Sequence, residues 1–308
     1  MYYFIVNPGS RSGRGKEVWE KIEIELERED IEYRVYFTSH RFHARELASE
    51  ITQREGPLTI VAVGGDGTVN EILDGIRDLS KVTFGYIPTG SSNDFSRALG
   101  ISVSLDAAIE NVLHPSYFRK IDIGTFRTGG ETHRFGVSCG CGFDAAVCHA
   151  SVSSAIKDLL NKLHLGKLTY AGTAFKLLLG WKPVRMAIVT DRGEKYSFKR
   201  TFFIAAMNGA YEGGGLKMAP GAVPDDGMLD IIIVEGMPKA VIALVLPTAF
   251  LGLHAILPGV HIIRARSYKL KTAARQPVHS DGEAYFNEKI MSVSLDKDRL
   301  NVISPSLN

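Results

Sequence analysis

The chain has 308 residues, 45% of them hydrophobic and 23% charged, and its formal net charge is only +2. That is room for two domains with full cores, and the charge carries no signal for nucleic acid. Three cysteines, Cys139, Cys141 and Cys148, are too few and too clustered for a disulfide scaffold or a four-ligand zinc site, so they are expected as reduced thiols.

In chain order, the opening Met1-Tyr-Tyr-Phe-Ile-Val-Asn-Pro is short and apolar and has no basic leader, so it is expected as a first strand over Tyr3–Val6 rather than a signal peptide. The spacing then predicts an amphipathic helix over Arg14–Glu29 with Val18, Ile22 and Leu26 inward, a strand over Tyr33–Phe37 and a helix over His43–Gln53. Thr59–Val63 reads as a strand, Val69–Arg77 as a helix, Thr83–Ile87 as a strand, and Phe95–Leu99 and Asp106–Leu113 as helices. This alternation predicts an α/β domain: a parallel sheet with helices on both faces. Ligands of such sheets sit outside the carboxyl ends of the strands, where the turns Asn7–Gly15, Gly64–Asn70 and Thr89–Asn93 all fall.

Beyond about residue 125 the texture becomes β-rich, with strands expected over Val184–Thr190, Tyr196–Asn208, Leu229–Val234, Tyr268–Thr272 and Ile290–Leu295. Helical patches are expected over 151–180 and 239–257. The second patch contains the most apolar stretch, but Pro247, Gly252 and His254 interrupt it, so it is read as core or as a lipid-facing element, not as a membrane span. The expected domains are 1–125, with a C-terminal return over about 297–308, and a sandwich-like 126–296.

The most informative segment is Val61-Ala-Val-Gly-Gly-Asp-Gly-Thr-Val-Asn-Glu-Ile-Leu-Asp-Gly. Apolar residues lead into Gly64, Gly65, Asp66 and Gly67, and a periodic run follows: a strand, a tight turn and a helix start. Glycines let backbone amides approach a phosphate, and the helix N-terminus adds a favourable dipole. An acid there would repel phosphate unless a cation lay between them, so Asp66 suggests a Mg²⁺-nucleotide. Asn7-Pro-Gly-Ser-Arg-Ser-Gly-Arg-Gly suits a second phosphate-contacting turn. In Pro88-Thr-Gly-Ser-Ser-Asn-Asp, Ser91 and Asn93 are placed to cap a helix or reach a phosphate. Pro224-Asp-Asp-Gly-Met is a β-turn or a hard-cation site, and Asp281 and Glu283 in His279-Ser-Asp-Gly-Glu could pair a general base with its orienting partner. His40-x-x-His43 reads as a solvated helix start. The basic set Arg264, Arg266, Lys269, Lys271 and Arg275 reads as a solvated strand face that could touch anionic lipid.

Taken in series, Asn-Pro-x-Ser, Gly-Gly-Asp-Gly-Thr-x-Asn-Glu, Pro-x-Gly-x-x-Asn-Asp-Phe-x-Arg, Gly-x-Gly-Phe-Asp-Ala over Gly140–Ala145, the Asp-Asp-Gly turn and Asp-Gly-Glu resemble the diacylglycerol kinase catalytic-domain superfamily, which includes soluble bacterial lipid kinases and sphingosine kinases. The resemblance covers nearly the whole chain. It implies ATP held by Asn7, Ser10, Ser12, Thr38, Gly65, Asp66, Gly67, Thr68, Asn70, Glu71 and Ser91, with Asp66 anchoring Mg²⁺ through water. It also implies a structural metal at Asp226 with the Val223 and Met228 carbonyls, catalytic carboxylates at Asp281 and Glu283, and a lipid entering between domains. Ser91 replaces the family's usual Thr, and Arg11 and Arg14 enlarge the first motif; both leave the acceptor open. The expected activity is transfer of the γ-phosphoryl of ATP to a lipid hydroxyl, diacylglycerol-like, sphingoid or phosphatidylglycerol-like, by a cytoplasmic enzyme that touches membranes transiently, could form homodimers and binds no nucleic acid. The alternatives are an NAD kinase-like small-molecule kinase and a catalytically silent lipid- or nucleotide-binding regulator.

Overall fold

The computed structural model describes residues 1–13, 15–54, 56–152 and 166–305; the side chains of residues 11, 12, 151, 152, 166–171 and 173 lie outside that description. The chain divides into two compact units, Met1–Ile123 with Asp296–Asn308, and Gly124–Leu295.

In the first unit, β1 (Tyr2–Val6), β2 (Tyr33–Phe37), β3 (Leu58–Gly64), β4 (Val82–Pro88), β5 (Tyr117–Ile121) and β15 (Leu300–Ser304) form one sheet in the order β2-β1-β3-β4-β15-β5. Neighbours run parallel except β5, which is antiparallel to β15. β3 and β4 are buried almost throughout, as near-continuous apolar runs should be in the middle of a parallel sheet. α2 (Gly15–Arg28) and α6 (Leu105–Leu113) cover one side, packing Trp19, Ile22, Leu26, Ile109 and Val112 on Phe4, Val6, Val61, Val63 and Ile87. α1 (Ser10–Gly13) lies in the turn after β1. α3 (His43–Ile51), α4 (Asp66–Gly75) and α5 (Asp94–Leu99) complete the unit. β15 slots between β4 and β5. β5 itself, too polar to read as a strand, was not expected.

The second unit is a nine-stranded antiparallel sheet built from β6 (Gly124–Thr128), β7 (Glu131–Phe135), β8 (Ser138–Gly142), β9 (Val184–Thr190), β10 (Lys195–Met207), β11 (Leu229–Glu235), β12 (Val260–Ala265), β13 (Ser267–Ser280) and β14 (Glu283–Leu295). β8 and β9 each pair with both β10 and β13, which closes one part of the sheet on itself. Its core gathers Phe126, Phe135, Cys139, Cys141, Met186, Ile204, Ile231, Tyr268 and Val278. All three cysteines are buried and free, as reduced thiols should be.

α7 (Phe143–Val152) precedes the first expected helical patch and overlaps only its first two residues, α8 (Gly166–Gly180) fills its later part, and residues 153–165 between them lie outside the described residues. The second patch is not one helix. It is α9 (Lys239–Val245) followed by 3₁₀ turns at Leu246–Leu251 and Leu253–Ile256. Pro247 lacks the amide an α-helix needs, and Gly252 sits at φ +72 between the two turns. β13 and β14 run well beyond their expected spans: the alternation of exposed Lys269 and Lys271 with buried Tyr268, Leu270 and Thr272 breaks after Thr272, where Ala273, Ala274 and Arg275 are all exposed and the register shifts, so the rest of the strand carries no period-two signal.

Candidate active site

At the carboxyl ends of β1, β3 and β4, three turns are hydrogen-bonded to one another. The Asn7 Nδ2 donates to Thr68 Oγ1 at 3.2 Å, the Ser10 and Thr89 hydroxyls lie 2.8 Å apart, and the Thr89 amide donates to the Gly64 carbonyl at 2.7 Å. Gly65 and Gly90 pass so closely that a Cβ on Gly90 would stand 2.6 Å from the Gly65 Cα. Only glycines allow that approach. Gly65 caps α4 with no side-chain bond, leaving the turn's recognition to backbone. The result is a cradle of amides and hydroxyls suited to an oxyanion such as phosphate.

Among the expected nucleotide residues, Asn7, Ser10, Gly64, Gly65, Gly67 and Thr68 belong to this cradle, with Thr89 and Gly90 joining from β4. Thr38 is tied in through its amide, which donates to the Val6 carbonyl at 2.9 Å. Ser91 is exposed at the rim and Asn70 is buried in α4. The Ser12 side chain lies outside the described residues.

Two expected ligands have structural partners instead. Glu71 accepts the Phe42 amide at 2.9 Å and the Ala44 amide at 3.2 Å, capping α3, whose own N-cap residue makes no side-chain bond. Asn93 sits at φ +53, donates to the Gly90 carbonyl at 3.0 Å and accepts the buried Tyr86 hydroxyl at 3.3 Å, holding the third turn closed.

Asp66 also has a structural role that the sequence did not disclose. Its two oxygens accept the Asp94 and Phe95 amides, each at 3.1 Å, so it caps α5 from the neighbouring turn. A cation is therefore not the sole reason for an acid there. A carboxylate accepts roughly four hydrogen bonds, and one fixed by two backbone amides beside a glycine turn fits a water-bridged Mg²⁺.

In the second unit the Asp281-Gly282 pair forms the two-residue loop of the β13–β14 hairpin, with φ +47 and φ +85 at its two positions. The Asp281 carboxylate accepts the Gly136, Val137 and Ser138 amides, each at 2.8 Å. Asp281 therefore has a structural role beside the expected one: it ties the hairpin turn to the backbone that leads into β8. Glu283, the first residue of β14, is half-exposed.

Next to this turn lies a cluster that sequence reasoning missed. His279, fully buried, places Nε2 2.6 Å from Asp144 Oδ2 and 3.2 Å from Glu212 Oε1. Burial alone would strip its proton, but the two carboxylates outweigh burial and lift the imidazole from 6.5 to about 9. The Gly282 amide points at Nδ1 at 3.4 Å, too long to decide the protonation state against two facing carboxylates. Gly140 makes the cluster possible: it pairs with His279 across β8 and β13, and any Cβ there would collide with the ring. Cys148 completes the neighbourhood, its sulfur within 4.8 Å of the Asp144 and His279 ligand atoms. The 2.6 Å separation of His279 and Asp144 is that of a charge-assisted hydrogen bond. Gly140-x-Gly and a histidine beside Asp-Gly were the signals that could have found this cluster.

At the expected metal set of Asp226, Val223 and Met228, the aspartate already has protein partners. Asp226 accepts the Met228 amide at 3.0 Å through one oxygen and the Arg264 guanidinium through the other, and Val223 is 41% exposed. Arg264 also reaches Asp230 at 3.5 Å, so a side-chain cation occupies the place an ion would take. No chemistry is assigned to a metal there.

Residues 1–126 match the family model described as the diacylglycerol kinase catalytic domain, and residues 139–302 match the YegS C-terminal NAD kinase beta sandwich-like domain. The chain belongs to the diacylglycerol kinase family. It is 31% identical to the Bacillus subtilis protein named "Putative lipid kinase YtlR" over 92% of this chain and 93% of that one. It is 30% identical to the Bacillus subtilis "Diacylglycerol kinase" over 91% and 88%. A solved diacylglycerol kinase structure from Bacillus anthracis superposes with a TM-score of 0.72 at 20% identity, covering 99% of this chain and 96% of that one, which shows the shared two-domain fold. Among the described residues of this kinase-family chain, no helix is long and apolar enough to cross a membrane.

Proposed function

We propose that this chain transfers the γ-phosphoryl group of ATP to the hydroxyl of a lipid. The observation that supports the reading best is the glycine-and-hydroxyl cradle at the strand ends, where Gly65 and Gly90 meet and Asn7, Ser10, Thr68 and Thr89 bond to one another. Positioning and charge stabilisation dominate phosphoryl transfer, and this cradle offers fixed dipoles rather than a covalent nucleophile.

In the proposed reaction the amides at the start of α4 and the surrounding hydroxyls hold the triphosphate. Asp66 would hold a Mg²⁺ through water, and that ion would supply neutralisation of part of the triphosphate charge. Glu283, not Asp281, takes the acceptor's hydroxyl proton while that oxygen attacks the γ-phosphorus in line, and the β,γ-bridging P–O bond breaks to release ADP. Asp281 fixes the turn that carries Glu283, and the charged His279 fixes the strand before it.

The test is incubation with γ-labelled ATP and a panel of diacylglycerol, phosphatidylglycerol, sphingosine and NAD. Label in a lipid supports the proposal and names the acceptor. Label in NAD alone replaces it with a small-molecule kinase, and ATP binding without transfer to any acceptor replaces it with a regulator.

A further inference from the structure

From Gly236 through Ser280 the chain holds no acidic residue, and neither does Leu159 through Thr190. Two apolar elements in these stretches come together. Lys239 at the start of α9 donates to the Leu179 carbonyl on α8 at 2.6 Å, and buried Leu178 with half-buried Trp181 and Ile242 belongs to one packed floor. Above that floor the apolar side chains face outward. Leu244, Leu251 and Ile256 are 78%, 73% and 84% exposed, and Phe175, Leu179 and Phe250 are 54%, 62% and 47% exposed. Single exposed apolar residues need no explanation, but a concentration of this kind marks a contact surface.

The surface is anchored rather than loose. Buried His254 reaches the Met218 carbonyl at 3.1 Å through Nε2, and the Lys217 amide donates to the Ala249 carbonyl at 2.8 Å. On the flank of α8, Lys176, Lys182 and Arg275 line an open cleft of about 810 Å³ together with Trp181 and Pro277, and no acid is among the described residues that line it. Outward apolar side chains beside an acid-free basic cleft complement one kind of partner: a bilayer whose surface is anionic, which takes the apolar groups below its headgroups and pairs the cations with phosphate.

We propose that the α8–α9 face, with the 3₁₀ turns over Leu246–Ile256, docks this kinase on an anionic membrane surface. The choice of partner rests on the lipid-kinase reading; the docking itself does not require turnover, so the two can fail separately.

The experiment is co-sedimentation of the full chain with vesicles of phosphatidylcholine alone or of equimolar phosphatidylcholine and phosphatidylglycerol, with circular dichroism to confirm that each variant is folded. The parent should sediment with the anionic vesicles, and less so as salt is raised. Leu251→Asp with Ile256→Asp, and separately Lys176→Glu with Lys182→Glu, should each cut the partition coefficient about tenfold. A parent that stays in the supernatant, or apolar variants that sediment like the parent, overturns the proposal. So does a parent that ignores vesicles but dimerises in a Leu251- and Ile256-dependent way, since a second copy is then the occupant. Phosphorylation of a short-chain, monomerically dispersed diacylglycerol by the same variants should stay at the parent rate. If the parent docks but phosphorylates no lipid, the docking face stands and the kinase reading falls.

Discussion

The acidic side chains of the two units are used in opposite ways. In the first unit Asp66 and Glu71 meet backbone amides and cap α5 and α3, so they hold turns in place around a cradle made of glycines and hydroxyls. Around the hairpin turn of the second unit Asp144 and Glu212 instead face an imidazolium, beside an Asp281 that meets backbone amides. A phosphate-binding cradle works through neutral dipoles and would be weakened by loose carboxylates. A turn that must present a base needs a rigid frame, and a buried ionic cluster supplies one at the cost of desolvation. The same residue types therefore act as mortar in one unit and as a charged keystone in the other.

The sharpest way to break the comparison is Glu283→Gln. If Glu283 is the base and Asp281 the frame, turnover on an identified acceptor should fall about 10²–10⁴-fold while the melting temperature stays put. Asp281→Asn should instead lower the melting temperature, because an amide nitrogen then faces the donors from Gly136, Val137 and Ser138. The opposite pattern, with Glu283→Gln active and Asp281→Asn folded but dead, would return the base to Asp281.

How much of this was legible in the sequence follows the distance between partners. Gly64 through Asn70 could be read because strand, turn and helix are local. The alternation of the first unit followed from periodicity, whereas the return of the last strand to it rested on the family resemblance. Asp66's capping of α5 and Glu71's capping of α3 were not legible, because the amides they hold lie in other turns some thirty residues away. In the second unit His279 and Asp144 are 135 residues apart, and Asp281 and Val137 are 144. Asp-Gly announced a hairpin loop, and nothing local announced what the aspartate would hold. The contact of Asp226 with the Arg264 guanidinium, 38 residues on, was hidden for the same reason.

The next largest effect belongs to the keystone. His279→Ala leaves Asp144 and Glu212 buried without their cation, so unfolding by denaturant should show a loss of about 3–5 kcal/mol. The same cluster sets a pH dependence with a definite sign. The imidazole titrates at about 9 when folded and 6.5 when unfolded, so its stabilisation is complete below pH 6.5 and is lost as pH rises through 9. Denaturant midpoints should therefore fall across that window by an amount worth roughly 3 kcal/mol. His279→Ala should flatten this part of the profile, and a parent whose stability is level from pH 6.5 to 9 would mean that His279 is neutral.

In the first unit the corresponding test is steric. Gly90→Ala places a methyl group 2.6 Å from the Gly65 Cα, and neither neighbour is a flexible side-chain end. Parting the two turns should cost about 1–3 kcal/mol of stability and weaken ATP binding, measured by calorimetry, more than it weakens the fold. Equal ATP affinity in parent and variant would show that the close approach is packing alone.

The smallest effects separate the two capping acids. Removing either cap should cost about 1 kcal/mol, so Asp66→Ala and Glu71→Ala should look alike in denaturant. They should differ in ATP titration. Glu71→Ala leaves the cradle at the ends of β1, β3 and β4 intact, and affinity should not depend on it at any Mg²⁺ concentration. Asp66→Ala removes the fixed carboxylate beside the glycine turn, and its loss of affinity should appear with Mg²⁺ and shrink when Mg²⁺ is chelated. If the two variants titrate identically, Asp66 is only a cap, the mortar in the first unit is structural throughout, and the nucleotide's cation is held by the phosphates and water alone.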